Sequence, residues 1–168
     1  PEMAARLYRA SRAGVKVRLC VRGICCLRPG IAGLSENIQV ISVVDRFLEH
    51  SRVLHFRNGG EEEVYLSSAD LMHRNLDRRL ELLFPVRDEG HRGRVVRILE
   101  TLFEDTQSAW RLRPDGAYER VSARRGQPPR RAQESFIEEA FARAEAIRAR
   151  RLSAFRPVGP GMAPGLRR

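Results

Sequence analysis

Two short runs, Arg52–Arg57 and Glu63–Ser68, stand on either side of Asn58-Gly59. Both turn residues tolerate the positive φ that tight reversals require, so the segment predicts two antiparallel strands joined in a hairpin. Sheet is therefore obligatory in this fold. Val15–Val21, alternating and rich in valine and leucine, predicts a further strand, buried in a parallel sheet. Leu80–Val86 predicts another apolar strand, closed by Pro85, and Trp110–Val121 a small hairpin around Pro114-Asp115-Gly116. Ile38–Leu48 is apolar at both periods and fits either a strand or a short helix. Helical spacing joins Ala4, Leu7, Tyr8 and Ala10 in a helix ending near Gly14, and Val95, Ile98, Leu99, Leu102 and Phe103 in a second. The clearest helix runs from Ala132 to Ile147, its stripe being Phe136, Ile137, Ala140, Phe141, Ala144 and Ile147. Ser68 or Asp70 is placed to cap a short helix through Asn75. Residues 27–37, with Pro29, Gly30, Gly33 and Asn37, read as loop. The pattern is that of one α/β domain over residues 1–152, followed from Ser153 by a Pro-, Gly- and Arg-rich tail expected to be disordered.

The chain is strongly basic, at +10, and Lys16 is its only lysine. Such a charge favours an acidic partner: nucleic acid, an anionic membrane or a phosphate-rich substrate. An arginine-for-lysine bias fits genome composition equally well, so placement counts for more than total. Cys20, Cys25 and Cys26 are odd in number, two of them adjacent, with no C-x-x-C spacing. They suit neither a disulfide framework nor a zinc site, and a reducing cytoplasm is the simplest setting. No apolar run approaches the roughly 20 residues of a membrane span. Pro1-Glu2 leads straight into a helical pattern without an initiator methionine or signal-peptide pattern, which reads as the interior of a larger protein.

Arg22 lies just beyond the carboxyl end of the first expected strand, where open α/β sheets place ligand groups. His50 and Arg52, at i and i+2, leave the same face of an extended segment. A histidine so placed can bind or protonate a phosphoryl oxygen while the arginine holds a neighbouring one. His55 and Arg57 repeat the spacing, but His55 sits inside the apolar run VLHF and reads as structural. Ser67, Ser68, Asp70, Arg74, Asn75, Asp77, Arg79 and Glu81 put eight polar side chains into fifteen positions after a strand. They fit either a hydrogen-bonded network orienting a phosphate-binding histidine or an ordinary capped surface helix. Arg120, Arg124, Arg125, Arg130 and Arg131 crowd a loop with Gly126, Pro128 and Pro129, a possible path for a polyanion or a solvated surface. No G-x-x-x-x-G-K-[ST], G-x-G-x-x-G or H-E-x-x-H occurs, and no histidine with a lysine two residues on.

Arg22-Gly23 through Asn37-Ile38, FLEHSR at 47–52, the Asn-Gly-Gly turn at 58–60 and VYLSSADLMHRNLDRRLE at 64–81 closely resemble the C-terminal part of bacterial polyphosphate kinase. That family makes inorganic polyphosphate from ATP. The resemblance covers roughly residues 3 to 150, and Arg131-Ala132-Gln133 matches a further family run. It implies a phospholipase-D-like α/β fold, a mixed sheet flanked by helices with a long C-terminal helix. The family's catalytic module has two such halves. A histidine-x-lysine in the first carries the phosphoryl group, and the second supplies an arginine and a histidine to the nucleotide phosphates. By position these are Arg22 and His50. The resemblance thus implies His50 as catalytic, Arg22 and His50 as phosphate-binding, and Arg52, Ser68, Asp70, Arg74, Asn75, Asp77, Arg79 and Glu81 as support. Arg124, Arg125 and Arg130 are the candidate polyanion path, and no metal ligands are assigned. ATP or ADP is the implied substrate, with magnesium brought by the nucleotide. The implied partners are polyphosphate and the upstream half of the same enzyme, in a cytoplasmic homo-oligomer without nucleic acid or a membrane span. Leu71 departs from the family's usual tryptophan, which concerns local packing rather than chemistry. Without the first half, this chain alone is expected to be inactive. Two other readings are a polyanion-binding module without chemistry and half of a phospholipase-D-like phosphodiesterase.

Overall fold

A computed structural model describes residues 2–154. Helix α1 (Glu2–Arg12) leads into β1 (Val17–Cys20) and β2 (Ile38–Val43), then β3 (Val53–Phe56) and β4 (Glu63–Ser67). Helix α2 (His73–Arg78), β5 (Leu83–Pro85), α3 (Glu89–Phe103), β6 (Ala109–Leu112), β7 (Tyr118–Arg120) and α4 (Ala132–Ala154) follow. The strands form two sheets, ordered β1-β2-β6-β7 and β3-β4-β5. Residues 1–133 make one compact unit, and the second begins at Glu134. Within its described part α4 is helical as expected, and its stripe is exposed at Phe141 and Ile147. The tail expected from Ser153 lies, beyond Ala154, outside the described residues.

The core forms around β2, whose valines and isoleucines are almost wholly buried. That resolves the ambiguity of residues 38–48: the first six are strand, and the chain leaves the sheet after Val43. Ile38 and Val40 cluster with Leu27 and Leu112, against which Leu7, Tyr8 and Leu19 pack. Each of the four nearly fully buried side chains, Leu27, Ile38, Val40 and Leu112, contributes about 1.5–3 kcal/mol on burial. β1 pairs in parallel with β2, Val17 opposite Ile38, as expected of a parallel sheet. It lies at the edge and is only half-buried, so the expected full burial does not hold. Its outward residue Arg18 covers the Phe103 ring at 4.0 Å.

The hairpin of β3 and β4 is present, with Phe56 opposite Glu63, so the reversal spans residues 57–62 rather than two. Asn58, Gly59 and Gly60 all take positive φ (41°, 69° and 116°), as the sequence requires. β5 pairs on the other side of β4, and Pro85 lies within it, opposite Tyr65. A proline is tolerated there because β5 is an edge strand whose missing N–H is not needed by a neighbour. The expected cap on α2 is absent: the helix starts after Met72 without a side-chain bond. Ser68 instead accepts from the Leu82 amide at 2.9 Å, and the Asp70 carboxylate faces arginines. Both Asp70 oxygens are taken by guanidinium groups and the Ser68 hydroxyl by Glu81 and Leu82, which leaves neither for the first amides of α2.

Asp105 is the strongest buried polar anchor. It is 1 % exposed. Its Oδ1 accepts from the amides of Gln107, Ser108 and Ala109, and its Oδ2 from the amide of Ala132 at 2.8 Å. One carboxylate thereby joins the end of α3, the start of β6 and the first residue of α4.

Candidate phosphate-binding site

Three chain crossings converge on one carboxylate. Arg22 follows β1, Arg52 precedes β3, and Asp70 follows β4. Arg22 Nη2 lies 3.2 and 3.3 Å from the two Asp70 oxygens, and its Nη1 donates to the Glu49 carbonyl at 3.0 Å. Arg52 approaches the same carboxylate with Nε at 3.0 Å and Nη2 at 3.4 Å. Two guanidinium groups against one carboxylate leave a net positive charge. The side chains of Arg22, Arg52 and Asp70 are 25 %, 20 % and 26 % exposed, so the charge is ordered yet reachable from solvent.

His50 completes the group. Its Nδ1 lies 3.0 Å from Arg52 Nη1. A guanidinium can only donate, so Nδ1 is the acceptor and the neutral ring carries its proton on Nε2. The exposed His50 thus offers Nε2–H as a donor beside two arginines. The other histidines each meet a carboxylate: His55 meets Glu62, His73 meets Asp77, and His91 meets Asp88. Among the four, His50 alone is held by an arginine.

A second network adjoins this one. Glu81 accepts from the Ser68 hydroxyl and from Asn75 Nδ2 at 3.0 Å, and is ion-paired with Arg79 Nε at 3.5 Å. The Ser68 and Asn75 bonds, with the charges of Arg79 and Arg52, hold Glu81 below the usual carboxylate range. Of the polar run in the sequence, Asp70 therefore belongs to the arginine cluster, and Ser68, Asn75, Arg79 and Glu81 to the second network. Arg74 lies exposed on α2, and Asp77 is turned to His73 on that helix surface, apart from them. In the arginine-rich loop Arg124 and Arg125 are exposed, whereas Arg130 is bonded to Glu104 and Arg131 to Asp45. Arg120 donates to the Gln107 carbonyl at 2.7 Å.

The sequence reading missed the groups that fasten the His50 segment: Asp45, Glu49 and Gln133. Each bonds to a partner more than twenty positions away, which no local spacing reveals.

Asp70 and Asp45 are both held below the ordinary aspartate value of 3.8, Asp70 chiefly by the Arg52 bond and Asp45 chiefly by the Arg131 bond. A carboxyl lowered on folding binds fewer protons in the native state than in the unfolded chain. It stabilises fully above the unfolded pKa, and that contribution is lost as pH falls through the folded one. Stability should accordingly be steady from neutrality down to about pH 4 and decline below it. Melting temperatures against pH check this, and Asp45→Asn should lower the neutral plateau while weakening the acid-side slope.

A basic, solvent-reachable cluster of guanidinium and imidazole donors thus lies beyond the end of a parallel strand of an α/β domain, where such folds place their ligand groups. Residues 1–133 match the family described as Polyphosphate kinase C-terminal domain 2. The chain belongs to that family. It is 56 % identical over 134 residues to a polyphosphate kinase of Rhodopirellula baltica, covering 80 % of this chain and 16 % of that protein. Similarity to the polyphosphate kinase of Pseudomonas aeruginosa is 52 % over 138 residues, covering 82 % and 20 %. The crystal structure of polyphosphate kinase from Porphyromonas gingivalis superposes with a TM-score of 0.81 at 41 % identity, over 86 % of this chain and 22 % of that one. The chain thus spans about a fifth of the length of these relatives, and the phospholipase-D-like mixed α/β fold is that of the family. No helix among the described residues is long and apolar enough to cross a membrane.

Proposed function

We propose that this domain is the nucleotide-phosphate half of a polyphosphate kinase active site. The reaction moves the terminal phosphoryl group of ATP, through a phosphohistidine carried outside these 168 residues, to the end of a polyphosphate chain. The observation that supports it most is the joint placement of Arg22, Arg52 and His50 around Asp70. Phosphoryl transfer demands little covalent chemistry from the protein, chiefly positioning and stabilisation of charge on phosphate oxygens.

In this reading Arg22 clamps a nucleotide phosphate, and Asp70 and the Glu49 carbonyl hold its fork in place. Arg52 serves mainly to orient. By occupying His50 Nδ1 it turns the Nε2–H toward the leaving phosphate oxygen, where the neutral ring stabilises the developing charge as a hydrogen-bond donor. The Ser68–Asn75–Glu81 network supports the Asp70 side of the site. Magnesium would arrive with the nucleotide. The described residues offer it no group of three or more carboxylate, imidazole or thiolate ligands. Asp70 and Glu81 are already engaged, so no step is assigned to the ion. A cytoplasmic setting suits three free cysteines. Arg124 and Arg125, exposed on their loop, remain the candidates for contact with a long polyanion; Arg130, tied to Glu104, is less available.

The 168 residues by themselves contain no histidine with a lysine two positions on. Purified and given ATP and magnesium, they are expected to make no polymer above a protein-free control. Sustained synthesis, or a phosphorylated histidine within the chain, would overturn the assignment of the nucleophile to another part of the enzyme.

A further inference from the structure

The chain between β2 and β3 has no regular structure from Val44 to Arg52, yet it must deliver His50 to a fixed place. Its apolar side chains do not hold it: Val44, Phe47 and Leu48 are 64 %, 54 % and 73 % exposed. Polar groups from the other end of the domain do. Gln133, 6 % exposed, accepts the Phe47 amide on Oε1 at 2.9 Å and donates from Nε2 to the Phe47 carbonyl at 2.7 Å. A single carboxamide thus satisfies both backbone groups of one residue, as a neighbouring strand would. The same Nε2 donates to Glu49 Oε1 at 2.7 Å, and the Glu49 carbonyl is in turn the acceptor for Arg22. Two residues earlier, Asp45 is 2 % exposed at its side chain and takes Arg131 Nε at 3.0 and 3.1 Å and Nη2 at 2.6 Å. Residues 131–133 are themselves fixed through the Ala132 amide on Asp105.

We propose that Gln133 and Arg131 are positioning residues that clamp the Asp45–Glu49 segment and thereby set where His50 and Arg22 stand. The proposal rests on the reading of Arg22 and His50 as phosphate-binding groups. A clamp of this kind gives an irregular, exposed segment the definition that a phosphoryl-transfer site requires, since misplacement by about 1 Å can cost on the order of 10²-fold in rate. It also links both site residues to one buried side chain, because Glu49 contacts Gln133 through its carboxylate and Arg22 through its carbonyl.

The test uses a full-length polyphosphate kinase carrying this sequence. Gln133→Glu keeps the acceptor for the Phe47 amide but sets a carboxylate against that of Glu49. Transfer should slow by roughly 10- to 100-fold, with faster amide exchange confined to residues 45–50 and β2 and β6 unchanged. Adding Glu49→Gln returns a donor to the contact with residue 49, though not to the Phe47 carbonyl, and should recover part of the lost rate and protection. Should Gln133→Glu fail to fold, Asp45→Asn is measured in its place, with the same local exchange expected. Unchanged exchange at 45–50 overturns the clamp, as does a double variant no better than the single one. If instead His50→Ala leaves transfer unaltered, the phosphate reading falls, and the exchange measurements still decide the clamp.

Discussion

Arg22→Ala, in a full-length polyphosphate kinase carrying this sequence, should slow phosphoryl transfer by roughly 10²–10³-fold, the usual cost of losing one charge-stabilising donor at such a site. The fold should survive. Arg22 is a quarter exposed and contributes nothing to the apolar core, and Asp70 retains Arg52 as its partner. Arg22→Lys should recover only part of the loss. An ammonium keeps the charge, but it lacks the planar fork that reaches Glu49 and Asp70 together. Steady-state rates beside melting temperatures check the pair: a large fall in rate with a near-native melting point is the expected result. Equal falls in both would make Arg22 a structural residue.

The largest effect on stability is expected at Asp105. Asp105→Ala removes the acceptor of four backbone amides and strands them in a region the carboxylate itself leaves 1 % exposed. Bonds to a charged acceptor are worth about 1.5–3 kcal/mol each, and they do not add simply, so a total of roughly 3–5 kcal/mol is expected. At about 2–4 °C per kcal/mol for a chain of this size, the melting temperature should drop by roughly 6–20 °C. Asp105→Asn, which keeps one oxygen acceptor, should fall less. A loss of under about 1 kcal/mol for the alanine variant would mean that water or backbone adjustment replaces the carboxylate.

Much of this was legible in the sequence because it is local. The periods of α1, α3 and α4, the hairpin around Asn58-Gly59 and the turn at Pro114-Asp115-Gly116 all depend on neighbours in the chain, and each is present. Arg22, His50, Arg52 and Asp70 were singled out from their strand ends and from the family resemblance, and they meet in space. What the residues alone did not show is pairing at long range. Asp70 reads as a helix cap from its neighbours, but the sheet brings two arginines to it from 18 and 48 positions away. The ambiguity of Ile38–Leu48 has the same origin: β2 becomes strand because β1 and β6 supply its partners. The separation of β3-β4-β5 into its own sheet follows from the irregular passage after Val43, which carries no period to read. Gln133 and Asp45 sit 86 or so positions from the groups they hold and could not be found by spacing.

His50, and not its near-twin in spacing five residues on, is the histidine proposed to serve the phosphates. The two histidines are held differently: Arg52 holds the exposed His50, whereas Glu62 holds His55 at 2.9 Å within the hairpin strand. The direct measurement is the rate of polyphosphate synthesis from ATP by full-length enzyme with His50→Ala and, separately, His55→Ala, each shown to be folded. Synthesis should fall by roughly 10²–10³-fold in His50→Ala and stay near native in His55→Ala. Synthesis that survives His50→Ala and is lost in a folded His55→Ala enzyme would contradict the assignment to His50.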